Sequence, residues 1–214
     1  MNEFCRNYLE LINSEFSGLN LTRITDQDEF YNKQYLDSVK PFEEIPLLRD
    51  TLQDKRILVD LGCGGGFPIL PLSSVHEDVK FVGIDSKRKK LDAVEKISET
   101  TSFGNVVTRH MRFEKLNFDV DCVVTCKAVG KIQDILPKLN VNADCTFVFY
   151  KGPNLKNQEL TYDKINNWQI VGEKEISIPG TDGRLIVIYK KIVPRGTNTK
   201  GELLSKILGD SAND

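Results

Sequence analysis

Asp60-Leu61-Gly62-Cys63-Gly64-Gly65-Gly66-Phe67-Pro68 follows directly on Ile57-Leu58-Val59, a short run that is apolar on both faces. Such a run suits a strand buried between two layers of a parallel sheet, and Pro68 suits the opening turn of a helix. Glycines between a strand and a helix let the backbone bend sharply and let a ligand approach without Cβ atoms in the way. The dinucleotide fingerprint G-x-G-x-x-G fails in both frames, meeting Phe67 when counted from Gly62 and Ile69 when counted from Gly64, which disfavours a nicotinamide dehydrogenase. No Gly-Lys-Ser/Thr follows at Walker A distance either.

Downstream, further apolar runs recur at Phe81-Val82-Gly83-Ile84, Val106-Val107, Cys122-Val123-Val124 and Phe147-Val148-Phe149. Helical segments separate them: Phe67 to His76, and Lys87 to Ser102 with an apolar stripe at Leu91, Val94 and Ile97. Trp168 to Ile178 and Leu185 to Tyr189 are β-rich and joined by Gly180-Thr181-Asp182-Gly183, which predicts a closing hairpin. Upstream, Phe4, Tyr8, Leu11, Ile12 and Phe16 have helical spacing and Gly18 closes the stretch. Asp26-Gln27-Asp28-Glu29 heads a second helix carrying Phe30, Leu36 and Val39 until Pro41 stops it. The chain thus divides into an N-terminal helical extension over 1–55, an α/β domain over 56–192, and a flexible polar tail over 193–214 with one helical turn around Leu203, Leu204 and Ile207.

Composition narrows the class. The 214 residues are 40% hydrophobic and 28% charged, as in a soluble globular protein. No signal peptide or membrane-length apolar stretch is visible, so the expected location is the cytoplasm, with no membrane partner. Five cysteines, an odd number without paired C-x-x-C units, read as reduced thiols rather than as a disulfide frame or a metal site. A net charge of -2 confines any nucleic-acid contact to local basic clusters, of which Lys87-Arg88-Lys89-Lys90 with Arg109, His110 and Arg112 is the strongest. Arg195, Lys200 and Lys206 offer a weaker extension in the tail.

Asp85 ends the second strand about twenty residues after the loop, where an acidic side chain accepts hydrogen bonds from ribose hydroxyls. Together with D-x-G-x-G-x-G and no pyrophosphate fingerprint, it favours S-adenosylmethionine over NAD. The expected architecture is a Rossmann-like class I methyltransferase sheet, mostly parallel with a C-terminal antiparallel hairpin, preceded by N-terminal helices.

The loop and several outlying segments resemble the bacterial ribosomal small-subunit methyltransferase G family, also called the glucose-inhibited division protein B family. The segments are Leu19-Asn20-Leu21-Thr22, Leu36-Asp37-Ser38, Gly66-Phe67-Pro68 with Pro71-Leu72, Asp85-Ser86, His110-x-Arg112-x-Glu114, Lys127-Ala128 and Lys151-Gly152. The resemblance implies methyl transfer from S-adenosylmethionine to N7 of a guanine in 16S ribosomal RNA of the small ribosomal subunit, by a monomer without a metal. It places cofactor contacts at Gly62, Phe67, Phe113, Glu114 and Lys127, to which the loop and strand end add Gly64 and Asp85. Three positions depart from the family pattern: Lys127 stands in place of arginine, Gln34 in place of histidine and Ile69 in place of glycine. Guanine N7 already carries an in-plane lone pair, so positioning rather than a general base is expected to drive transfer, and no catalytic residue is assigned. Methylation of a small molecule or protein, or ribosome binding without catalysis, remain the alternatives.

Overall fold

The computed structural model describes residues 2–101, 105–191 and 200–210. Helices α1 (Glu3–Ser14), α2 (Gln27–Phe30), α3 (Asp37–Glu44) and α4 (Pro46–Lys55) come first, with a π-helical stretch, Tyr31–Leu36, joining α2 to α3. Strand β1 (Ile57–Leu61), α5 (Ile69–Ser73), β2 (Lys80–Asp85), α6 (Arg88–Thr100) and β3 (Val106–His110) then alternate. They are followed by β4 (Leu116–Phe118), β5 (Cys122–Lys127), α7 (Ile132–Ile135), β6 (Asn140–Val141), β7 (Cys145–Lys151) and α8 (Leu155–Gln158). The chain closes with β8 (Trp168–Ile176), β9 (Arg184–Lys191), β10 (Glu202–Leu203) and α9 (Leu204–Asp210).

Seven strands form one sheet in the order β3-β2-β1-β5-β7-β9-β8. The first five pair in parallel, whereas β9 runs antiparallel to both β7 and β8. The class I methyltransferase architecture read from the sequence is the one observed. Alternate residues serve opposite faces: Leu58 joins a core shared with α1, α3, α4 and α6, while Val59 and Leu61 join a second core with α7 and α9. Strands that bury both faces read as unbroken apolar runs, which is why they were legible. No described helix is long and apolar enough to cross a membrane.

Two elements differ from expectation. The second helical stretch was to end at Pro41, yet α3 runs through it to Glu44. The missing proline N–H costs one helical bond, but Pro41 and Phe42 are buried and the Pro41 carbonyl still accepts from the Ile45 amide at 3.1 Å. Residues 200–210, expected within a flexible tail, instead return to the body: β10 pairs with β4, which pairs with β6, in a second three-stranded sheet. Leu204 and Ile207 are buried in the second core, the Asp119 carboxylate caps α9 at the Ser205 amide (3.0 Å), and Arg109 bonds Asp210 at 3.0 Å. Four apolar residues in a polar stretch, Leu203, Leu204, Ile207 and Leu208, were too few to signal this docking. Arg195 lies outside the described residues.

Candidate functional site

The carboxyl ends of β1, β2, β3 and β5 surround a cavity of about 300 Å³, lined among others by Gly62, Gly64, Asp85, Met111, Phe113, Glu114 and Val129. Crevices outside the carboxyl ends of parallel strands are where doubly wound folds bind ligands, and this volume lies at the small end of ligand pockets. The glycine loop forms one wall. Gly62 has φ +66° and a Cβ there would stand 2.8 Å from a Val129 methyl, so only glycine fits without displacing the facing loop. The loop is tied to β2, since the Gly62 amide donates to the Ile84 carbonyl at 2.7 Å.

Asp85 fixes the mouth. One carboxylate oxygen accepts from the Gly64 amide at 2.9 Å and the other from the Lys87 amide at 2.8 Å, so the side chain joins the glycine loop to the start of α6. Across the cavity, partial burial acts to raise the Glu114 carboxyl, but its own backbone amide and Arg112 hold it below the ordinary glutamate range. Its Oε2 is buried without a partner among the described residues. Five of the seven residues read from the sequence thus meet around one cavity. Met111 and Val129 also line it and were missed, because an apolar residue at a strand end carries no sequence signal.

Phe67 and Lys127 stand behind the loop rather than in the cavity wall. The Phe67 ring packs on Tyr8 (5.1 Å between centroids) and edge-on to Phe30 (5.6 Å). Lys127 Nζ lies 5.7 Å over the same ring, 2.8 Å from Asp37 and 3.4 Å from Gln34 Oε1. Burial lowers the Lys127 ammonium pKa even though Asp37 acts to raise it. The two departures from the family pattern at positions 34 and 127 therefore touch each other. The N-terminal helices also reach the loop directly: the buried Tyr8 hydroxyl donates to the Gly65 carbonyl at 2.6 Å.

Asp60, at the head of the loop, is buried; Thr125 donates to one oxygen at 2.8 Å and the other has no partner among the described residues. Burial pushes its carboxyl up to about 7, against the pull of Thr125 and Lys127. A raised native value means that the folded chain keeps a proton the unfolded chain releases from about pH 4 upward. Stability from this group therefore declines as pH rises from about 4 to about 7. Asp60→Asn stays neutral throughout, so the difference in urea midpoint between variant and parent should move in the variant's favour across that window. A constant difference would show that Asp60 is ionised in the fold. The thiol of Cys63, buried beside it, is raised well above its ordinary range by burial, which removes it as a nucleophile.

The chain matches the model of the family described as rRNA small subunit methyltransferase G over residues 1–187. It is 30% identical over 202 residues to the Ribosomal RNA small subunit methyltransferase G of Clostridium perfringens (strain SM101 / Type A), covering 86% of this chain and 80% of that one. To the protein of the same name from Lactobacillus helveticus (strain DPC 4571) it is 32% identical over 188 residues, covering 81% and 76%. Among solved structures it is similar to magnesium protoporphyrin IX methyltransferase from Synechocystis PCC 6803 with bound SAM, with TM-score 0.53 and 14% identity over 89% of this chain and 98% of that one. A SAM dependent methyltransferase from Aquifex aeolicus gives TM-score 0.50 and 18% identity over 74% and 92%. At these identities the solved structures speak to the fold alone.

Proposed function

The chain belongs to the rRNA small subunit methyltransferase G family, and from that premise we propose that it carries the methyl group of S-adenosylmethionine to N7 of a guanine in 16S ribosomal RNA. The observation that carries this reading is the cavity where the glycine loop, Asp85 and Glu114 converge at the strand ends. Its chemistry fits an adenosyl donor: a backbone bend without Cβ atoms, a carboxylate at the mouth, and a buried acceptor oxygen on Glu114 without a partner among the described residues. Gly62 and Gly64 would cradle the donor, Asp85 would accept from its ribose hydroxyls, and Phe113 and Glu114 would hold it from the segment after β3. Phe67 and Lys127 would act from behind, as supports of the loop.

When bound, the donor supplies an electrophilic methyl group on a positively charged sulfur. The chain needs no base, because guanine N7 presents a free lone pair on its major-groove edge. Its work is to hold the acceptor in line, a task that supplies several kcal/mol in enzymes generally. Asp37 keeps the Lys127 ammonium engaged behind the loop, away from the guanine ring, whose gain of positive charge a nearby free cation would oppose. In this reading the enzyme works in the cytoplasm, alongside its substrate, as a monomer.

The test is transfer of labelled methyl groups to small subunits, and to their RNA, taken from cells that lack the enzyme, followed by mass mapping of the modified nucleotide. One labelled 7-methylguanine in 16S RNA is the expected result. No incorporation at any salt concentration, or label confined to protein or metabolites, would overturn the reading.

A further inference from the structure

We infer that Lys87, Lys89 and Lys90 form a rim that grips the phosphodiester backbone of the RNA acceptor at the mouth of the cavity, an inference that rests on the RNA reading above. Seven basic or imidazole side chains crowd this region, and the structure sorts them. Arg88 is bridged along its own helix to Asp92 (2.6 Å) and Glu95 (3.2 Å). Arg109 is held by Asp210 at 3.0 Å, Arg112 by Glu114 at 3.1 Å, and the His110 ring lies 3.0 Å from the Ser86 carbonyl. Lys87, Lys89 and Lys90 have no carboxylate within bridging distance among the described residues.

These three lysines also sit where the fold gains nothing from them. They occupy the N-cap and first turn of α6, which has no acidic residue in that turn and no capping side chain. A helix amino terminus carries partial positive charge, so added cations there oppose folding. The donor's one carboxylate does not account for them either, because it lies at the methionine end, whereas Lys87 adjoins Asp85, the proposed ribose partner, at the nucleoside end. Yet Lys87 and Lys90 line the cavity, and Lys90 Nζ stands 3.7 Å from the point a Cβ on Gly64 would occupy. At that end the donor carries no anion, so cations without a carboxylate partner among the described residues call for an anion that arrives with the second substrate. In a chain of net charge -2 the cluster is a local feature, not overall basicity. Phosphate contacts of this kind fix position and register without reading sequence.

The experiment compares the parent protein with the triple variant Lys87→Gln, Lys89→Gln, Lys90→Gln for binding to deproteinised 16S RNA and to intact small subunits over a salt series. Each lost phosphate contact removes about 0.7 from the log–log salt slope for a single strand, so the slope should fall by about 2. The parent's loss of affinity between about 50 and about 200 mM salt should accordingly exceed the variant's by about 15-fold. Tm should stay level or rise, which a structural role for these lysines would not produce. An unchanged slope in the variant, with the parent still methylating RNA, would overturn the rim and leave the enzymatic reading standing. Weakened binding to intact subunits with unchanged binding to bare RNA would also overturn it, by assigning the lysines to an acidic protein face. A parent that neither methylates nor binds RNA would fail the RNA reading, and the rim with it.

Discussion

Replacing Asp37 with alanine is expected to destabilise the protein by about 3–5 kcal/mol, the range seen when one partner of a buried ion pair is removed. For a chain of this size that corresponds to a fall in Tm of roughly 10–15 °C. Asp37 is fully buried and accepts from Arg184 Nε at 2.7 Å and Nη2 at 2.9 Å as well as from Lys127 at 2.8 Å. Without it, two cations remain in a poorly solvated site with no countercharge. Burial acts to raise the Asp37 carboxyl, but Lys127 and Arg184 overcome it and hold it below the ordinary aspartate value. Its contribution is thus complete above the unfolded value of 3.8 and fades as pH falls through the lower native one. Urea unfolding at neutral pH measures the loss, and the gap between parent and variant should narrow in acid. Asp50→Ala is the control: its partner Arg49 is at the surface and its side chain is 67% exposed, so about 0.5 kcal/mol or less is expected. A loss below about 1 kcal/mol for Asp37→Ala would mean that helices and sheet are joined by packing alone. Adding Lys127→Met should restore part of the loss by removing one of the stranded charges.

Asp85→Ala should weaken S-adenosylmethionine binding by about 100-fold, close to 2.7 kcal/mol. Two effects combine. The carboxylate is the proposed acceptor for the ribose hydroxyls, and charged hydrogen bonds contribute about 1.5–3 kcal/mol. It also organises the site before the donor arrives, because it holds the Gly64 and Lys87 amides at once. Asp85→Asn keeps one carbonyl acceptor and should fall between parent and alanine variant. Calorimetric titration decides the matter, and an affinity unchanged in Asp85→Ala would remove Asp85 from the binding site.

Much of this could be read from the sequence because the features were local. Asp60 to Pro68 lies between a strand and a helix, and Asp85 ends the next strand; these contiguous segments placed Gly62, Gly64 and Asp85, while Phe113 and Glu114 came from the family resemblance. What was not legible depends on distance along the chain. Asp37 and Lys127 are far apart in sequence, and nothing in either neighbourhood announces that they meet. Phe67 belongs to the ligand loop by position, but Tyr8 and Phe30 claim its ring from the opposite side. The small sheet escaped notice because β6 and β10 have two residues each, too short for any periodicity to register. Pro41 misled because the stop rule weighs one lost hydrogen bond and not the burial of the side chains around it.

Two segments far apart in the chain brace elements next to the ligand cavity. Tyr8, from the first helix, bonds the glycine loop, and β10 pairs with β4, which begins one residue after Lys115. Gly201, with φ +103°, lies so close to the Lys115 carbonyl that a Cβ there would be 2.3 Å from it. Ribosomes deliver a protein amino end first, so a nascent chain holds the early brace long before the late one exists. The brace at Gly201 and β10 is therefore made after every residue that lines the cavity, and can dock only on walls that are already synthesised.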